Sequence, residues 1–124
     1  MLKSDYMEDF ILREIDRIGE LLLQIAIRLG LFKDGEPKCT VTDVKAEFGK
    51  AELPLDIDEI LSKDNPVLYM VEQKNISDKS LELMVDILFH SDIDQKRRNA
   101  ILDDAIRYLD HRGYYSFRLH SLSI

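Results

Sequence analysis

One cysteine, no tryptophan and no long apolar run mark this sequence first. Cys39 stands alone, so no disulfide can form within the chain, and a reducing cytoplasm is the simplest compartment to expect. No stretch reaches the roughly 18 apolar residues of a membrane span, so no membrane insertion is expected. The opening residues, MLKSDYMEDF, are acidic and lack the basic start and apolar core of a signal peptide. No glycine-rich phosphate loop is present, and alternation of the strand type persists nowhere. Basic residues are in deficit: the formal charge is −7, which disfavours free-standing binding to nucleic acid.

What remains is helical. The 124 residues carry 45% hydrophobic and 33% charged side chains, a globular balance that predicts one helical domain over residues 1–124. Asp5 and Glu8 form a capping pair, and the pattern predicts a helix from there to about Phe32, stopped by KDGEP at 33–37 and about 40 Å long. Met7, Ile11, Ile15, Ile18, Leu22, Ile25, Leu29 and Phe32 recur every three or four residues as one seam. Arg13, Arg17, Glu20, Gln24 and Arg28 fall opposite as a polar stripe. A second flank holds Leu12, Gly19, Leu23, Ala26 and Ile27. Its apolar half needs a cover, which is either the chain's own later helices or a second copy approaching over Gly19 and Ala26.

Shorter helices follow. TDVKAEFG suggests one capped by Thr42 and stopped by Gly49, and DIDEILSK another capped by Asp56 with Glu59. Asn65 before Pro66, Ser77, and Asp94 each predict a further helix start. Leu81, Met84, Val85 and Leu88 define the buried face of the helix after Ser77. Ile101, Leu102, Ala105, Ile106 and Leu109 define that of the helix from Gln95 to Arg112, with Gly113 as its stop. YYSFRLHSLSI predicts one more short helix. The fold class expected is all-α: a long N-terminal helix packed on short helices and a C-terminal helical hairpin. In that last third, NAILDDAIRYLDHRGYYSF resembles the packing of a tetratricopeptide unit, without its full repeat pattern. DYMEDFILREIDRIGELL is similar to the start of a group of small helical bacterial proteins. That resemblance implies helical hairpins and brings no catalytic residues with it.

Chemistry is thinly represented. Glu82, Asp86 and His90 stand four apart on one helix face, a spacing that suits a divalent metal. The plainer reading makes them the solvated edge of an apolar face, with His90 suited to a helix C-terminus. No metal or other cofactor is expected. Asp103 and Asp104 diverge by about 100° on a helix and cannot serve one bond as a carboxylate pair. Cys39 has no basic helix start beside it to activate it. Lys96, Arg97 and Arg98 sit in the first turn of a helix, where the dipole disfavours cations. Residues 95–124 carry six basic and three acidic groups, so this end is one place for a phosphorylated ligand or nucleic acid to dock, with Tyr108, Tyr114, Tyr115 and Phe117 nearby for stacking. Otherwise it faces the chain's own acidic middle. The expectation is a non-enzymatic interaction module that self-associates as a homodimer; the alternative is a small regulator that binds anions through Lys96, Arg97 and Arg98.

Overall fold

The computed structural model of the protein describes residues 17–32 and 39–123. Among them every regular element is a helix: α1 over residues 17–28, α2 Val41–Ala51, α3 Ile57–Ser62, α4 Pro66–Lys74, α5 Asp78–Phe89, α6 Gln95–His111 and α7 Phe117–Leu122. None of the described helices is long and apolar enough to cross a membrane. The all-α expectation holds, and the α5–α6 hairpin is packed together as expected.

Helix starts are set locally. Asp56, Asn65, Ser77 and Asp94 each cap the helix they were expected to cap, their side-chain oxygens taking backbone N–H groups of the first turn. Ser116 does the same for α7. At α2 the cap is Thr40 rather than Thr42. Its hydroxyl accepts from Asp43 N–H at 3.0 Å, while the Asp43 carboxylate accepts from Thr40 N–H at 3.1 Å. This reciprocal box needs an acid three residues on, which Thr40 has and Thr42 lacks. Gly49 does not stop the helix. It continues to Ala51, and Glu52 turns left-handed at φ 55°.

The first helix also stops before its expected end. Gly30 takes φ 80°, its N–H donates to Ile27 C=O at 3.0 Å, and Leu31 N–H donates to Ala26 C=O at 3.1 Å. These two bonds with a left-handed glycine make a Schellman stop. They turn Leu31 back into the core and leave Phe32, the last residue of the predicted seam, half exposed. Leu22 and Ile25 of that seam are fully buried. Met7, Ile11 and Ile15, with the Asp5 start, lie outside the described residues.

Among the described residues α5 is the most enclosed helix. Leu81, Met84, Val85 and Leu88 are buried as predicted, and Ser80, Leu83, Asp86 and Ile87 are buried with them. Against α5 lie α6, α7 and α4, and α1 crosses it at Gly19, where an added Cβ would stand 3.3 Å from Ser80 Oγ. Leu102, Leu109 and Leu119 complete the core from α6 and α7. Each such fully buried leucine contributes roughly 1.5–3 kcal/mol.

Candidate functional site

The flank of α1 divides in two. Leu23 and Ile27 are 41% and 56% exposed, while Ala26 is fully buried and Gly19 faces Ser80 of α5. The small residues do permit a close approach, but the helix that makes it is the chain's own. Gly19 and Ala26 therefore leave the proposed self-association surface, which among the described residues keeps Leu23 and Ile27. Leu12 lies outside the described residues. On the polar stripe, Arg28 Nε donates to Glu47 Oε2 at 2.8 Å and joins α1 to α2.

The acid–histidine row is not a solvated edge. Asp86 is 1% exposed. Its Oδ2 accepts from Arg118 Nε at 2.9 Å, and its Oδ1 from the other arm of the same guanidinium at 3.3 Å. The His90 Nδ1 lies 3.1 Å from Asp86 Oδ1 and 2.8 Å from the Asp86 carbonyl. Both of those atoms only accept, so Nδ1 carries a proton in either charge state and titration takes place at Nε2. The hydrogen bond to the Asp86 carboxylate raises the His90 pKa above its ordinary 6.5; burial and the Arg118 charge oppose it. Glu82 takes no part: it pairs with Lys79 at 3.0 Å. Among the described residues no group of three acids, histidines or cysteines is arranged to hold a metal ion.

The same cluster gathers distant segments of the chain. Arg118 also donates to Leu31 C=O, just past the end of α1, at 3.2 Å. Cys39 donates its N–H to His90 C=O at 3.2 Å, and its thiol lies 3.5 Å from the same oxygen. Burial first, then the negative charges of Asp43 and Asp92, push the Cys39 pKa up. The thiolate is the nucleophilic form, so this environment works against reactivity. Neither Arg118 nor the burial of Asp86 was anticipated. One sequence signal pointed to it: Asp86 is the single charge in LMVDILF, and a carboxylate among so many apolar neighbours requires a cation.

The basic triplet is split. Arg97 donates to Leu61 C=O at 2.9 Å and to Lys63 C=O, at the end of α3. Arg98 donates to Phe89 C=O, the end of α5, at 2.9 Å, with its guanidinium 5.6 Å from the Phe89 ring centre. Lys96 is exposed. Two of the three cations thus serve the carbonyl ends of neighbouring helices, which answers why they stand at an unfavourable helix start. Arg97→Gln and Arg98→Gln are each expected to lower stability by about 1 kcal/mol, and Lys96→Gln to leave it unchanged, in urea unfolding. Equal effects of all three on polyanion retention, with stability untouched, would restore the anion-site reading.

Two of the clefts lined by described residues lie beside α6 and α1. One of about 720 Å³ lies between α4 and α6, with Val67, Leu68 and Tyr108 as apolar walls and Asp104, Arg107 and Asp110 among its polar ones. The other, about 300 Å³, runs beside Leu23 between α1 and α5. No family model, no curated protein and no solved structure matches the chain.

Proposed function

We propose that the protein is a non-enzymatic helical interaction module that pairs with a second copy through the outer face of α1. The observation that carries this reading is the contrast between adjacent residues: Leu22 and Ile25 are fully buried, whereas Leu23 and Ile27 stand more than a third exposed one turn apart. Two large apolar side chains at i and i+4 form a stripe, and a two-fold pairing covers such a stripe with itself. The cleft beside Leu23, walled by Leu83, extends the apolar surface toward α5. A cytoplasmic setting belongs to the same proposal, on the strength of the lone, buried Cys39.

Sedimentation velocity tests it. The wild-type chain is expected to sediment as a dimer, and Leu23→Glu with Ile27→Glu as a monomer of unchanged helical circular dichroism. A wild-type monomer at high concentration ends the proposal. Loss of helicity in the double variant would instead mark the stripe as core.

A further inference from the structure

We propose that Asp86, His90 and Arg118 form a proton-responsive latch in which protonation of His90 loosens the hold of α7 on the rest of the fold. The latch rests on geometry. α7 is only six residues long, and among its residues Leu119 alone is buried. A polar anchor is Arg118, whose guanidinium grips both oxygens of the buried Asp86 and reaches Leu31 C=O beyond α1. His90 competes for one of those oxygens from the C-cap of α5.

The groups around His90 define the sign. α5 contributes the Asp86 carboxylate and α7 the Arg118 guanidinium. The chain entering α2 contributes the Cys39 N–H and thiol on the His90 carbonyl, and the turn after α5 contributes Asp92, which accepts from Val41 N–H at 2.7 Å. Asp43 of α2 is held at Thr40 N–H, and Arg98 of α6 sits over Phe89, one residue away. Among the described residues at α1's end, the Leu31 carbonyl is already taken by Arg118. Of these, only Arg118 leaves when α7 undocks. With α7 docked, the guanidinium repels a charged imidazole. With α7 undocked, His90 has the carboxylate to itself and binds its proton more tightly. The undocked form therefore takes up more proton, and falling pH favours it by linkage.

Global unfolding runs the other way. The folded His90 pKa is raised above its unfolded value near 6.5, so its stabilising contribution is full below that value and is lost as pH rises through the folded pKa. Acid thus loosens α7 while His90 supports the remaining fold. A second imidazole must be removed from the test. His120 of α7 lies 3.2 Å from Asp110 of α6 and stacks on Tyr115, a second contact that holds α7 in place.

Amide-exchange mass spectrometry, corrected for intrinsic rates, separates the two motions. In His120→Gln protein, protection of the α7 amides relative to those of α5 is expected to fall roughly three- to tenfold from pH 8 to pH 5.5. Adding His90→Gln should abolish that dependence. Constant α7 protection in His120→Gln, or a dependence that survives His90→Gln, overturns the latch. An NMR titration of His90 gives an independent reading should the double variant fail to fold. Arg118→Gln is expected to raise the His90 pKa, and an unchanged or lower value overturns the proposal.

Discussion

Arg118→Met is expected to lower the unfolding free energy by about 3 kcal/mol. The reason is Asp86, which is 1% exposed and would keep, among the described residues, only the His90 imidazole at its carboxylate. Removing one member of a buried pair typically costs about 3–5 kcal/mol. The lower end applies because the Arg118 side chain is 38% exposed and water can replace part of what it supplies. Replacing the pair together, Asp86→Leu with Arg118→Met, should recover most of the loss, since an apolar pair needs no cation. His90 keeps its 2.8 Å contact with the Asp86 backbone carbonyl in that variant. Urea unfolding of the three proteins decides the matter: a double variant no better than the single one would show that volume, not charge, governs the site.

Leu22→Ala should cost about 2–5 kcal/mol and Leu23→Ala less than about 1 kcal/mol. The two residues are adjacent on α1, but Leu22 is fully buried and Leu23 is 41% exposed. The first change leaves a cavity against the core; the second removes a methyl-rich group from open surface. Measured at low protein concentration, this contrast reports the rotation of α1 about its own axis without interference from association. Equal losses would mean that α1 turns a different face to α5.

The same residues show what a sequence can reveal. The starts at Asp56, Asn65, Ser77 and Asp94 were legible because a cap is a contract between neighbours two or three residues apart. The buried faces of α5 and α6 were legible because helical period alone places them. The stop at Gly30 was hidden by the apolar residues that continue past it. Its left-handed turn serves tertiary packing, by returning Leu31 to the core. Asp86 was misjudged for a similar reason. Its helical spacing to Glu82 and His90 describes one face of one helix, whereas its burial is created by α7, 32 residues further along. The small flank residues followed the same course: period located Gly19 and Ala26, but not which helix would fill the space beside them.

The three arginines on helix ends also impose an order in time. Arg97 serves the end of α3 from 36 and 34 residues downstream, at Leu61 and Lys63 respectively. Arg118 serves the residue beyond α1 from 87 residues downstream. A ribosome adding roughly 5–20 residues per second makes α1 about 4–17 s before the donor that completes its end. Until residue 118 is made, Leu31 C=O lacks its Arg118 donor and Asp86, once made, lacks its guanidinium. A nascent chain halted just before residue 118 therefore already carries Arg97 and Arg98 for the ends of α3 and α5, yet it lacks the guanidinium that pairs with Asp86 and completes the end of α1. Each helix start is thus complete with its own segment, whereas the end of α1 is completed only by a residue near the far end of the sequence.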